Sequence, residues 1–339
     1  MSVVPVIDLQ SAGAAAAIDD AMTTIGFFQV VGHGVDRGAI DDLLAAMDAF
    51  FALPLATKQQ YRPPSPEVNN GYSAIGAESL AYSLGVEAPP DLFEAFNLGP
   101  EDPDLADPAV AAERHRIFHP NIWPVEVPAL SEAGVRYFAE ARALAHRLTS
   151  VCAEGLGLGA DFFEPFTTHS TDTLRLNWYH RDEGGPEPLP NQQRMGAHTD
   201  YGIVTVLYSD AVPGLEVLAP NGAWVSLVPE PDAYLINIGD LMAQWTNDRW
   251  RSTLHRVVPP PSGASGAALR RSMAFFHDGN WDAIVECLPT CCDAEHPAHY
   301  QPVRALDHLM NKLLGGRTME AAESTDHVGD RLGAVTDAG

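Results

Sequence analysis

Met195-Gly196-Ala197-His198-Thr199-Asp200-Tyr201-Gly202 is the stretch on which the reading turns, because His255 and then Arg270 and Ser272 follow it in order. In an extended segment residues two apart point the same way, so His198 and Asp200 can grip one metal ion while Thr199 faces elsewhere. Two histidines and one carboxylate can occupy one triangular face of an octahedral Fe(II) and leave three positions open. His255 must then come from a different strand or loop. The segment from Thr246 to Val258 suits that role, since a polar turn runs into a short β-prone run. A lone His-x-Asp is a weak pattern; the ordered set gives it weight.

Arg270 and Ser272 are also two apart in a strand-like run, so both project to one face while Arg271 points to the other. A guanidinium beside a hydroxyl is a good receptor for a carboxylate, because the planar fork donates two charge-assisted hydrogen bonds. Arg271 is expected in a surface ion pair. Asn177 and Tyr179 alternate in the same way on one face of an earlier run.

Together with Val6-Ile7-Asp8-Leu9, Gly26–Gly34, Asn121-Ile122-Trp123-Pro124, Leu174–Tyr179, Asn237-Ile238-Gly239-Asp240 and Arg270–Phe276, these motifs occur in family order over roughly residues 4 to 310. The chain resembles the isopenicillin N synthase-like group of non-haem Fe(II)/2-oxoglutarate-dependent oxygenases. The resemblance implies an α+β, mainly β fold: a double-stranded β-helix (jelly roll) with a helical and mixed N-terminal region and a C-terminal helix. It divides the chain into an N-terminal oxygenase region (1–125), the jelly-roll domain with a long supporting helix (126–317) and a mobile tail (318–339). It implies Fe(II) held by His198, Asp200 and His255, with 2-oxoglutarate and dioxygen as cosubstrates. Matching Arg-x-Ser pairs bind the distal carboxylate of 2-oxoglutarate, which gives that role to Arg270 and Ser272. Matching Asn and Tyr residues, here Asn177 and Tyr179, lie near the iron-bound end. Trp178 and His180 depart from the family pattern, though neither change removes a donor.

The implied activity is oxidation of a small organic substrate by hydroxylation, desaturation or cyclisation, with release of succinate and CO2. Two alternatives remain open on the sequence. One is an oxidase that uses Fe(II) and dioxygen without 2-oxoglutarate, since isopenicillin N synthase also carries an Arg-x-Ser pair. The other is a binding protein that keeps the fold without turnover, against which the intact triad argues.

The 339 residues carry 20 basic and 45 acidic side chains, a formal charge of −25. Such a surface repels phosphate backbones and anionic lipid, so neither nucleic acid nor membrane is an expected partner, and no obligate protein partner is evident. An anionic cosubstrate must instead be drawn in by a local positive site, which Arg270 can provide. No apolar run approaches the ~20 residues a membrane span needs, and no signal peptide is visible, so a cytoplasmic location is expected. Four cysteines do not make a disulfide framework; Cys287, Cys291 and Cys292 cluster without a fourth zinc ligand at ribbon spacing.

Along the chain, residues 3–9 suit an edge strand, Ala14 to Ile25 a helix, and Phe27 to Val31 a strand. Asp36 can N-cap a helix to Phe51 whose apolar stripe is Ile40, Leu43, Leu44, Met47, Phe50 and Phe51. Residues 62–108, rich in Pro, Gly, Asn and Asp, read as irregular surface loops that could carry substrate recognition. A helix is expected from about Ser131 to Gly155, with Val135, Phe138, Ala141, Ala145, Leu148 and Cys152 facing the barrel. Short β-prone runs follow at 173–179, 203–208, 214–218, 223–228, 233–238, 254–258 and 270–276. The loop Pro259–Leu269 reads as an insertion, and 303–315 as a C-terminal helix. His33, His115 and His119 read as structural, while His277 is a candidate to reach the substrate cavity.

Overall fold

The central strands of the large sheet are buried on both faces although polar residues interrupt their apolar runs, and that burial sets the architecture. The computed structural model describes residues 4–180, 188–260 and 269–318. Its strands are β1 (Val6–Asp8), β2 (Phe27–Val31), β3 (Gly71–Ser73), β4 (Glu94–Leu98), β5 (Thr173–Tyr179), β6 (Met195–His198) and β7 (Val204–Ser209). These continue as β8 (Leu215–Leu218), β9 (Trp224–Ser226), β10 (Tyr234–Ile238), β11 (His255–Val257), β12 (Arg270–His277), β13 (Ile284–Val285) and β14 (Val303–Arg304). The helices are α1 (Ala14–Thr24), α2 (Arg37–Phe51), α3 (Leu55–Lys58), α4 (Pro108–Ala112), α5 (Ala129–Gly155), α6 (Asp240–Trp245) and α7 (Ala305–Thr318).

The strands form an eight-stranded sheet in the order β1-β2-β10-β7-β12-β5-β4-β3 and a four-stranded sheet in the order β6-β11-β8-β9. Apart from the parallel β1–β2 pair, every pairing is antiparallel. This is the jelly roll. Period-two alternation divides the core. Phe27, Ala95, Tyr179 and Leu235 point into the space between the sheets, where they meet Leu215, Val217 and Val257 of the small sheet. Their neighbours Phe28, Phe96, Leu176 and Ile236 point outward, where they pack with residues of α1, α2 and α5.

Asp36 caps α2 by accepting from Gly38 N–H at 2.7 Å, and five residues of the expected stripe are fully buried, with Leu44 packed beside them. Helix α5 runs from Ala129 to Gly155, but its buried stripe passes through Gly134 and Tyr137 and leaves Val135 exposed. A Cβ at Gly134 would lie 2.8 Å from Leu98 Cδ1, so a larger residue there would make that side chain shift.

The 62–108 segment is not simply surface loop. It contributes β3 and β4 to the large sheet, and all five residues of β4 are buried. The charge of Glu94 hid this strand; its carboxylate is met by Lys58 Nζ at 2.7 Å and by the Tyr72 hydroxyl, both distant in sequence. The C-terminal helix starts two residues later than expected, after β14, and extends to Thr318. The tail from 319 and residues 261–268 of the Pro259–Leu269 insertion lie outside the described residues. Among the described residues no helix is long and apolar enough to cross a membrane.

Candidate active site

β6 and β11 are paired so that His255 lies directly opposite His198. Upstream of β11, Asn247 and Asp248 take left-handed backbone conformations, φ 53° and 62°, in the polar turn. The loop after β6 brings Asp200 back toward both histidines, and it needs two glycines to do so. A Cβ on Gly239 would lie 2.4 Å from the Gly202 carbonyl oxygen, and one on Gly202 would lie 2.1 Å from an Asp278 carboxylate oxygen. The Asp240 carboxylate ties both loops together by accepting from Thr199 Oγ1 at 3.1 Å and Ser252 Oγ at 2.6 Å.

One ligand atom from each of His198, Asp200 and His255 falls within 4.8 Å of the others, and all three residues are buried. The hydrogen bonds around them leave the right atoms free. His198 Nδ1 faces the Gly196 carbonyl at 2.8 Å and His255 Nδ1 the Thr253 carbonyl at 3.1 Å. Carbonyls only accept, so both Nδ1 atoms carry protons and both Nε2 lone pairs are available. Asp200 Oδ2 accepts from Thr205 Oγ1 at 2.5 Å and Asn237 Nδ2 at 2.7 Å. Its Oδ1 faces the two Nε2 atoms, at 3.9 Å from His198 and 3.7 Å from His255.

Burial and the neighbouring His255 push the His198 pKa down to about 3, which keeps its imidazole neutral, as a ligand must be. Burial opposes ionisation of Asp200, but the two histidines and the bonds from Thr205 and Asn237 outweigh it and hold the carboxyl below its ordinary value. Two convergent imidazole nitrogens beside a carboxylate oxygen suit a hard-to-borderline divalent ion such as Fe(II).

The triad lines a cavity of about 120 Å³ between the two sheets. Strands β5 and β12 form its floor, in register from Arg270↔Tyr179 through Ser272↔Asn177 and Ala274↔Arg175 to Phe276↔Thr173. Arg270 is 2% exposed, and its Nε and Nη1 have no hydrogen-bond partner among the described residues. A buried guanidinium left this way needs an anion. Its Cζ lies 5.0 Å from the Tyr179 ring centre, and Asn177 Nδ2 donates to Ser272 Oγ at 3.3 Å. Arg271, on the opposite face, is paired with Asp48 and Asp210 as expected.

Other expectations fare variously. His277 does not line the cavity; it is fully buried with Nδ1 2.9 Å from Asp172 Oδ1. His33 Nδ1 accepts from Val35 N–H at 3.1 Å, a structural contact. The cysteines are free thiols, and among the described residues the His198–Asp200–His255 group is the one cluster that could hold a metal. Sequence reading missed Arg175, Asn97 and Arg317, which line the end of the cavity away from Arg270. Arg175 could have been found, because it continues the period-two face of Asn177 and Tyr179.

Residues 4–126 match the family described as the N-terminal region of non-haem dioxygenases in morphine synthesis, and residues 170–279 match the 2OG-Fe(II) oxygenase superfamily. The chain is 33% identical over 286 residues to the 2-oxoglutarate-Fe(II) type oxidoreductase hxnY of Emericella nidulans, covering 83% of this chain and 78% of that one. It is 34% identical over 320 residues to the validamycin A dioxygenase of Streptomyces hygroscopicus subsp. limoneus, covering 91% and 85%. Among solved structures, a full-length Neurospora crassa protein in complex with alpha-KG and thymine superposes with a TM-score of 0.78 at 28% identity, covering 91% of this chain and 96% of that one. A 2OG-Fe(II) oxygenase family protein from Caulobacter crescentus gives a TM-score of 0.78 at 29% identity, covering 92% and 99%. The chain belongs to the non-haem Fe(II)/2-oxoglutarate-dependent oxygenase family of isopenicillin N synthase-like proteins, and is an oxidoreductase that uses Fe(II), 2-oxoglutarate and dioxygen.

Proposed function

We propose that His198 Nε2, His255 Nε2 and Asp200 Oδ1 hold the Fe(II), and that Arg270 with Ser272 holds the distal carboxylate of 2-oxoglutarate. The observation that carries this reading is the buried, unpartnered guanidinium of Arg270 in the same cavity as the triad. Because Tyr179 stands opposite Arg270 in register, it serves the distal-carboxylate end, and Asn177 lies one step nearer the triad. When bound, the iron and keto acid supply dioxygen activation, with decarboxylation to succinate and CO2 coupled to a two-electron oxidation of substrate.

The protein's own part is positioning. Thr205 and Asn237 fix the Asp200 carboxylate, the Gly196 and Thr253 carbonyls fix the imidazole tautomers, and the apolar walls Leu207, Leu215 and Val257 exclude water around the cosubstrate. The substrate is a small organic molecule that enters the Arg175 end. Hydroxylation is the reaction assigned, with desaturation or cyclisation available to the same site. Small-molecule candidates can be screened for substrate-triggered succinate formation in the presence of Fe(II) and 2-oxoglutarate. One substrate should release succinate in step with its own oxidation, and Arg270→Ala should suppress both. Substrate oxidation without succinate would refute the assignment in favour of an oxidase.

A further inference from the structure

The end of the cavity away from Arg270 has a donor and acceptor pattern of its own. Asn97 and Arg175 face each other in register on β4 and β5, and both line the cavity. Asn97 Nδ2 donates to the backbone oxygen and to Oδ1 of Asn69, both at 3.0 Å, which fixes the orientation of its amide. Its Oδ1 is then a buried acceptor with no partner among the described residues, on a side chain that is 2% exposed. Arg175 donates from Nε to Asn177 Oδ1 at 3.1 Å and from Nη2 to Glu78 Oε2 at 2.8 Å, while its Nη1 donates to no described residue. One open acceptor and one open donor therefore stand side by side.

The open acceptor and the Glu78 carboxylate beside it decide between an anionic and a neutral occupant. Arg175 already has its counterion in Glu78, itself a lining residue. Burial opposes ionisation of Glu78, but Arg175 and Arg317 outweigh it and keep the carboxylate charged. Arg317 directs Nη1 to the Pro66 and Val68 carbonyls, both at 2.9 Å, and Nη2 to Asn69 Oδ1. Its guanidinium thus braces the 66–69 segment. Arg175 and Arg317 together exceed Glu78 by one positive charge. A substrate carboxylate would nevertheless set oxygens with no hydrogen to give against Asn97 Oδ1 and Glu78, whereas a neutral group with an N–H satisfies the open acceptor. The remaining walls, Leu80, Phe276, Leu309 and Leu313, are apolar.

We infer that the substrate is a small neutral cyclic amide or a related ring with an N–H beside a C=O. The N–H donates to Asn97 Oδ1, and the C=O accepts from Arg175 Nη1. The inference rests on the oxygenase site assigned above, whose iron and cosubstrate leave this end of the cavity for the substrate.

Calorimetric titration of the protein loaded with Fe(II) and 2-oxoglutarate under argon tests this, using three probes of matched ring size. These are 2-piperidone (donor and acceptor), cyclohexanone (acceptor only) and cyclohexanecarboxylate (anion). 2-Piperidone is expected to bind best, and both Asn97→Ala and Arg175→Lys should weaken it by roughly 10- to 100-fold. A 2-oxoglutarate titration of each variant shows whether its fold and cosubstrate site survive. Equal or better binding of the ketone or the carboxylate overturns the inference. So does absence of lactam binding in a protein that binds 2-oxoglutarate, or lactam affinity unchanged in both variants. Failure of the wild-type protein to bind 2-oxoglutarate would instead overturn the site assignment, and the inference with it.

Discussion

Removing the Arg270 guanidinium separates cosubstrate binding from folding, because the structure predicts opposite effects on the two. Arg270 is almost wholly buried, with Nε and Nη1 unpartnered among the described residues and its guanidinium against the Tyr179 ring. In the ligand-free protein that charge is a burden, so Arg270→Leu should leave ligand-free stability equal to or above that of wild type. Binding the distal carboxylate turns the burden into a charge-assisted pair. Truncating one partner of such a pair typically costs ~2–5 kcal/mol, or roughly 30- to 5,000-fold in affinity. The assay is calorimetric titration of 2-oxoglutarate into the Fe(II)-loaded protein under argon, alongside thermal unfolding with and without ligand. At 100 times its Kd a ligand adds about 2.7 kcal/mol of stability. Wild type should gain that increment at a concentration where Arg270→Leu gains little. Arg270→Lys keeps the charge without the fork and should fall between them, while Arg271→Ala should bind 2-oxoglutarate like wild type. Wild-type affinity in Arg270→Leu, or loss of affinity in Arg271→Ala, would refute the reasoning.

Other outcomes follow from individual contacts. Asn237→Leu removes a bond to Asp200 Oδ2 and should weaken Fe(II) binding about 10- to 100-fold, as read by metal titration; unchanged affinity would show that Thr205 alone suffices. Lys58→Met leaves the buried Glu94 carboxylate without its cation and should destabilise the fold by ~3–5 kcal/mol in denaturant unfolding, with Glu94→Gln in the same chain restoring part of it. Asp91 is pushed up to about 7, mainly by burial, from an ordinary 3.8. Its folded form therefore keeps a proton that the unfolded chain releases, so its stabilising contribution is full below the unfolded value and is lost as pH rises through about 7. The stability difference between wild type and Asp91→Asn should thus move against wild type from pH 4 to 8, and a pH-independent difference would contradict the assignment.

What the sequence disclosed and what it hid divide along a physical line. That Arg270 and Ser272 share a face was legible because period-two alternation is local and the backbone alone decides it. His198 and Asp200 were legible as a pair by their spacing, but Asp200 lies past the end of β6, and the loop, not strand alternation, brings it to the histidines. His255 was legible through its place before a strand. Strand β4 was not, because a carboxylate in a buried strand is tolerable only with a cation, and Lys58 lies far away in the chain. Asn97 and Arg317 were hidden for the same reason: their cavity exists only once β4, β5 and α7 are packed. The exposed Val135 shows the limit of apolar spacing: the buried stripe of α5 runs instead through Gly134 and Tyr137.

The most direct test of the whole account is anaerobic Fe(II) titration of wild type and His255→Ala, with and without 2-oxoglutarate. The account predicts one tight Fe(II) per chain in wild type, tighter still when 2-oxoglutarate is present, and much weaker binding without the response to 2-oxoglutarate in His255→Ala. Wild-type Fe(II) affinity in His255→Ala, or Fe(II) and 2-oxoglutarate binding independently of one another, would contradict it.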